Sequence, residues 1–269
     1  MVNAILYDAS KCIGCRACQV ACKRWNELEA EYTEGSDYKN TQELTASTWN
    51  VIKYVGIEGD EGFKLHFVSF RCMHCLDPVC VAICPVRAIE RDPETGAVVT
   101  HSERCVGCLM CVNVCPFHVP KFERGVGTRK CTMCIDRQSV GYEPACVHTC
   151  PTGALMFGER EEIVRTAQAR ANEIGGYLYG LEEAGGTCVI MVLTAPPEQL
   201  GLPNVEKRSY AEVEAVREVS EVASVIHETS EMSKSSGGLL LAAGLAVVGG
   251  LVAFKTKRKQ ALKATKNEG

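Results

Sequence analysis

Short apolar and β-branched bursts punctuate an otherwise polar chain. Val2 to Tyr7, Phe63 to Phe70, Ala97 to Thr100 and Ala154 to Phe157 read as short strands. The turn sequence Asp92-Pro93-Glu94-Thr95-Gly96 separates Ala88-Ile89-Glu90 from Ala97-Val98-Val99, which predicts a β-hairpin. Residues 160–173 carry a helical pattern, and Thr187 to Thr194 reads as a buried strand. Pro196-Pro197 breaks the chain, and residues 205–232 read as a charged helical connector. Residues 23–71 form a long polar insertion with little periodicity.

One run differs in kind. Gly237 to Phe254, GGLLLAAGLAVVGGLVAF, holds eighteen residues without a charge. At about 1.5 Å per residue a helix here spans roughly 27 Å, enough for a thin bilayer. A buried helix of a soluble fold is the alternative. The flanks favour a membrane: Lys255, Lys257, Arg258, Lys259, Lys263 and Lys266 follow at once, and Lys234 is the close basic residue before it. The positive-inside rule then expects a single-pass protein of the cell membrane, with its C-terminus cytoplasmic and its bulk extracytoplasmic, on the periplasmic side. Ala242, Ala246 and Gly250 place small residues on one stripe, where a partner helix can approach.

Charge adds little. The net charge is -4, from 29 basic and 33 acidic residues. It leaves no basic footprint for nucleic acid, so no such partner is expected. Cysteine adds much more, at seventeen in 269 residues. Sixteen of them fall into four motifs. Cys12-x2-Cys15-x2-Cys18-x3-Cys22 is the first and Cys72-x2-Cys75-x4-Cys80-x3-Cys84-Pro85 the second. Cys105-x2-Cys108-x2-Cys111-x3-Cys115-Pro116 is the third and Cys131-x2-Cys134-x11-Cys146-x3-Cys150-Pro151 the fourth. Each opens with CxxC and closes with CxxxC.

This spacing suits [4Fe–4S] clusters, four in number. Soft thiolates are the ligands of iron–sulfur chemistry, and cysteines three apart let one loop present three sulfurs to one cube. In the C-x2-C-x2-C-x3-C-P run the fourth cysteine ligates the other cluster of a pair. The hairpin joins motifs two and three as one pair. The expected sets are therefore Cys72, Cys75, Cys80 and Cys115, with Cys105, Cys108, Cys111 and Cys84. Motifs one and four then give Cys12, Cys15, Cys18 and Cys150, with Cys131, Cys134, Cys146 and Cys22. Cys22 is followed by Lys23 rather than proline, so its local turn differs.

The expected fold class is α+β: two nested ferredoxin-like modules of short strands and helices, plus one C-terminal transmembrane helix. Residues 1–22 and 131–204 form the outer module, and 23–130 an inserted segment with the inner one. A connector spans 205–236, the membrane helix 237–254 and a basic tail 255–269. A basic residue precedes each motif, Lys11, Arg71, Arg104 and Lys130, which would offset the negative charge of buried clusters. His74, His118 and His148 lie in or beside motifs, and Met73, Met110 and Met133 between ligand cysteines. Cys188 stands alone and reads as a small buried hydrophobe. A zinc- or disulfide-stabilised, membrane-anchored interaction protein is the different-class alternative. Zinc does not explain the CxxCxxCxxxCP run, and cysteines this close bridge poorly. No dinucleotide fingerprint, P-loop or nucleophile–base constellation accompanies the cysteines. An electron carrier without a reaction centre of its own is the reading.

The chain resembles the iron–sulfur (beta) subunit of membrane-bound respiratory formate dehydrogenases. The resemblance rests on Lys11 to Cys22 with Trp25-Asn26, on Cys72-Met73-His74-Cys75-Leu76-Asp77-Pro78, and on Cys115-Pro116-Phe117. Lys130-Cys131-Thr132, Cys134 to Arg137, Glu143 to Cys146, Pro151 to Ala154, Gly185-Gly186-Thr187 and Gly201-Leu202-Pro203 extend it. It implies a complex whose catalytic subunit, with a molybdenum or tungsten bis-pterin centre, oxidises formate. This subunit would relay electrons to a membrane cytochrome b or other quinone-reactive subunit. The resemblance implies the same cluster pairing. It also implies export bound to a twin-arginine partner, which fits a start, MVNAILYDASKC, without an apolar signal core. Similar four-motif subunits serve membrane hydrogenases and other molybdopterin reductases, which are the alternatives within this class.

Overall fold

Strand β1 (Asn3–Asp8) shows no alternation because Ala4 to Asp8 are buried without a break. A strand covered on both faces has no polar side to show. The computed structural model describes residues 2–31, 41, 43–59 and 62–206. The expected membrane helix, the basic tail and nearly all of the connector lie outside these residues. Among the described residues no helix is long and apolar enough to cross a membrane.

After β1 come α1 (Ala17–Trp25), β2 (Asn50–Gly59), β3 (Gly62–Arg71), α2 (Val79–Ala82), β4 (Ile89–Arg91) and β5 (Val98–Thr100). Then follow α3 (Met110–Val114), β6 (Lys121–Glu123), β7 (Gly127–Arg129), α4 (Ile135–Gln138) and α5 (Ala145–His148). The last are β8 (Leu155–Glu159), α6 (Arg160–Ile174), β9 (Tyr177–Tyr179) and β10 (Val189–Leu193). Four strands form one sheet in the order β8-β1-β10-β9. β1 runs parallel to β10, with Leu6 opposite Ile190, and antiparallel to β8, with Tyr7 opposite Leu155. Both edges of β1 are therefore paired by strands from the far end of the chain.

Helix α6 covers this sheet. Ile163, Ala167 and Ala171 recur every fourth residue, so they share one face, and all three are buried. Two alanines in that stripe let the helix lie close on the strands. Glu161 and Glu162 complement the positive end of the helix, and Gly175, at φ +62°, closes the other. Arg170 reaches from α6 to the buried carboxylate of Asp8, at 2.9 Å. Asp8 also accepts from the Ser10 N–H at 3.0 Å, which fixes the turn leading into the first cysteine motif.

The predicted hairpin is present, with Ile89 opposite Thr100. Asp92 shapes its turn by accepting from the Thr95 N–H and hydroxyl, each at 2.6 Å. The reading of 23–71 as an insertion with little periodicity needs correction. β2 and β3, ten residues each, form an antiparallel hairpin there, with Asn50 opposite Arg71 and Gly59 opposite Gly62. Its base is buried on both faces and its tip is exposed, so no single alternation runs along it. The small hairpin β6–β7 and strand β9 also escape the pattern, since three residues are too few to show one.

Candidate metal centres

The CxxC loops share one backbone device. The residue before the second cysteine is left-handed in all four: Gly14 at φ +67°, His74 at +48°, Gly107 at +70° and Met133 at +55°. Successive N–H groups in such a turn face inward and form a concave site for an anion. Glycine takes this conformation freely, whereas histidine and methionine are held there against strain. His74 and Met133 are fully buried, so packing supplies the restraint. Arg16 and Leu109, at φ +60° each, then start α1 and α3 at equivalent motif positions.

Four cysteines from three segments line one recess. Cys22 comes from α1, Cys131 and Cys134 from the loop before α4, and Cys146 from α5. About 320 Å³ of space lies among them, part of it open to solvent, with Asn26, Asn50, Arg71 and Met133 in its wall. A second recess is lined by Cys84, Cys105, Cys108 and Cys111, with Ala88 and Thr128. Each group is one of the expected sets. In both, the odd cysteine arrives from the partner motif through a helix contact: α1 packs on α5, and α2 on α3.

The other two sets are brought together by other means. Cys12 is near enough to help raise the Cys18 thiol, and Cys72 is near enough to help raise those of Cys80 and Cys115. Cys150 arrives just ahead of β8: Ala154, the residue before that strand, accepts from the Asp8 N–H at 2.8 Å, just ahead of motif one. Neighbouring sets also lie within electrostatic reach of one another. Cys18 feels Cys146, Cys131 feels Cys72, and Cys80 feels Cys111. Cys15 and Cys108, in the sets at the two ends of this series, are exposed.

Burial governs the thiols. It pushes Cys18, Cys111 and Cys134 up to about 11 and Cys131 up to about 12. Cys105 and Cys150 shift the other way. Burial alone would raise them, but hydrogen bonding wins, with Thr128 and Gly107 at Cys105 and with Leu155 and Thr152 at Cys150. Further donors aim at sulfur: the Ala88 N–H lies 3.2 Å from Cys84 Sγ and the Met133 N–H 3.4 Å from Cys131 Sγ. Such donors stabilise a sulfur site carrying negative charge.

The four basic residues ahead of the motifs divide into two kinds. Arg71 is fully buried in the wall of the first recess, and its Nη1 donates to Cys146 Sγ at 2.9 Å. Burial would lower its pKa, but Cys146, Cys18 and Cys131 together raise it. Lys130 is buried as well and donates to the carbonyls of Val98 and Cys131. Lys11 and Arg104 are placed differently. Both are exposed, Lys11 lies 3.9 Å from Asp8, and Arg104 pairs with Glu90 at 2.8 Å. The carboxylates of Asp8 and Glu90 face them, and neither cation is itself buried.

Of the three histidines, His118 and His148 are exposed. His74 Nδ1 accepts from the Val98 N–H at 2.9 Å, which leaves the proton on Nε2. Burial, then Lys130 and Arg71, keep this ring neutral. Its Nε2 is buried without a hydrogen-bond partner, and so is Asn50 Nδ2 in the wall of the first recess. Sequence reasoning missed Asn50 and Thr128, whose side chains come from segments without cysteines, and named Asn26 without placing it in the wall. Cys188 is buried, as a small hydrophobe would be, at the bend before β10 and 3.9 Å from the Gly96 carbonyl.

These features fit an iron–sulfur cluster. Among the described residues no three His, Cys, Asp or Glu side chains converge on a point that a single metal ion would occupy. Zinc, with bonds of about 2.3 Å, needs such convergence. Thiols ringed around a recess, with buried donors lacking acceptors, suit a larger guest rich in sulfur. Cys18, Cys22, Cys131 and Cys146 are not joined in disulfides.

Comparison with known proteins agrees. Models of 4Fe-4S dicluster domains match residues 11–88 and 63–160. The iron–sulfur subunit of the nitrate-inducible formate dehydrogenase of Escherichia coli is 40% identical over 217 residues, covering 76% of this chain and 73% of that protein. The formate dehydrogenase-O iron–sulfur subunit of the same organism is 40% identical over 200 residues, 71% of this chain and 66% of that one. The hydrogenase-2 operon protein HybA of Shigella flexneri is 32% identical over 244 residues, covering 76% and 74%.

Proposed function

Because the chain belongs to the family of formate dehydrogenase iron–sulfur subunits, we propose that it carries four [4Fe–4S] clusters in a row and relays electrons from a formate-oxidising subunit to the membrane. It is an electron-transfer subunit with 4Fe–4S domains, and it is not catalytic on its own. The observation that carries the finer reading is the series of neighbouring cysteine sets. Cys12, Cys15, Cys18 and Cys150 would hold the first cluster, next to Cys22, Cys131, Cys134 and Cys146. Cys72, Cys75, Cys80 and Cys115 would follow, then Cys84, Cys105, Cys108 and Cys111. The clusters, when bound, take up and release single electrons.

The chain's own residues do the rest. Buried Met73 and Met133 keep water from the middle of the series. Exposed Cys15 and Cys108 leave its two ends near the surface, where partners can dock. Ile13 and Val20 lie exposed near the first end, and Val106, Leu109 and Phe122 near the other. By family likeness the outer module would face a molybdenum or tungsten bis-pterin subunit, and the inner one a membrane cytochrome b or other quinone-reactive subunit.

Iron and acid-labile sulfide analysis tests the count: about sixteen of each per chain are expected. A content of about four or fewer would overturn it. The likeness to the hydrogenase-2 operon protein supports a second reading, the same relay in a hydrogenase complex. Co-purification decides between them, since a nickel–iron partner would exclude the formate assignment. Residues 237–254 would anchor the chain with its clusters outside the cytoplasm. Deleting 237–269 should release the complex from washed membranes or uncouple it from quinone, and retention with full quinone reduction would refute the anchor.

A further inference from the structure

Arg71 and Lys130 stand in corresponding places, each directly ahead of a CxxC loop, and both are carried into the interior. Arg71 turns away from the loop that it precedes, and Lys130 keeps one bond to its own loop, to the Cys131 carbonyl at 3.2 Å, while reaching beyond it. Arg71 precedes Cys72 of motif two, yet its guanidinium donates to Cys146 of motif four and lines the recess of Cys22, Cys131, Cys134 and Cys146. Ser69 accepts its other nitrogen at 2.6 Å, which orients the group. Lys130 precedes Cys131 of motif four, yet its ammonium is bound by the carbonyl of Val98, on the hairpin between motifs two and three. There it lies within electrostatic reach of Cys80, Cys115 and His74. The Val98 N–H, in turn, is bound by His74, so one residue of the inner hairpin is gripped by motif two and by the start of motif four.

We propose that Arg71 and Lys130 are a crossed pair of potential-setting cations: each leads a ligand motif of one module and delivers its charge to a cluster of the other. The proposal rests on the cluster assignment above. A buried positive charge stabilises the more negative, reduced state of a neighbouring cluster and raises its midpoint potential. Arg71 acts on the outer set that contains Cys146, and Lys130 on the inner set that contains Cys80. These two sets adjoin where Arg71, the residue before Cys72, enters the recess lined by Cys131, so the pair brackets the step at which an electron leaves one module for the other.

The test is a redox titration of the purified complex followed by electron paramagnetic resonance, with signals assigned through Cys146→Ser and Cys80→Ser. Arg71→Gln should lower the midpoint of the Cys146 signal and leave the Cys80 signal in place. Lys130→Gln should do the reverse, and Arg71→Lys should keep the Cys146 signal near its native position. Unmoved potentials in fully loaded variants would overturn the proposal. So would a shift following sequence adjacency, with Arg71→Gln moving the Cys80 signal alone. Loss of clusters from both Arg71 variants, with no shift in Lys130→Gln, would also overturn it. Iron content separates the layers: a native chain with about four irons removes the cluster assignment itself, whereas full iron with unmoved potentials removes only the crossed pair.

Discussion

Glycine at position 14 is set by two independent demands. Its backbone is left-handed, and a Cβ there would meet the ring of Phe67 at 2.5 Å. Gly14→Ala should therefore cost about 1–3 kcal/mol and lower cluster content, measured by melting and iron analysis. Native stability and iron in that variant would refute the close approach. The left-handed turn at Gly14 and Gly107 is legible in the sequence, because glycine advertises it. At His74 and Met133 the same turn is illegible, since nothing in those residues announces positive φ, and only burial by distant segments enforces it. The same limit applies to the basic residues. A lysine or arginine before each motif can be read from the sequence, but which two turn inward depends on Val98 and Cys146 being nearby.

Among the elements, the β2–β3 hairpin props the first motif. Tyr54 donates to the Gly14 carbonyl, Arg16 stacks 4.7 Å from the Tyr54 ring, and Tyr54 meets Phe67 edge to face at 5.1 Å. The sequence showed β3 but not its partner, because the hairpin's work lies in contacts with a loop forty residues earlier rather than in a regular face. Helix α6 is the opposite case: its stripe of Ile163, Ala167 and Ala171 is periodic and was readable in outline. Ala167 is fully buried against the sheet. Ala167→Leu should overpack that seam and cost about 1–3 kcal/mol, with iron content unchanged. A melting temperature equal to the native one would show that α6 lies less closely on the strands.

For the molecule as a whole, cluster loading and protonation are linked. Cys18, Cys111 and Cys134, pushed up to about 11, hold their protons at pH 8 in the cluster-free chain. Binding iron requires thiolates, so loading should release protons and tighten as pH rises towards 11. Calorimetry of iron and sulfide loading in two buffers of different ionisation heat measures this release; identical heats would contradict it. The linkage also has a stability sign. These folded thiols lie above the unfolded value of about 8.5, so their stabilisation is complete below that pH and is lost as pH rises towards 11. At this scale the sequence was most legible, since four motifs at fixed spacing state the ligand chemistry outright. The bond from Arg71 to Cys146 was not legible, because it depends on how segments distant in the chain pack.

The central place of β1 has a consequence in time. It is the first strand made, and its two neighbours, β8 and β10, are among the last. While the ribosome works through the intervening residues, Ile5 and Leu6 have nothing to cover them, and motif one must wait for the segment that ends in Cys150. The hairpin between motifs two and three has no such delay. The segment carrying motifs two and three is thus complete first, and the strands that flank β1 close behind it like a clasp. A chain truncated before residue 189 leaves β1 open along one edge, exposed to any quality-control machinery that recognises unpaired strands.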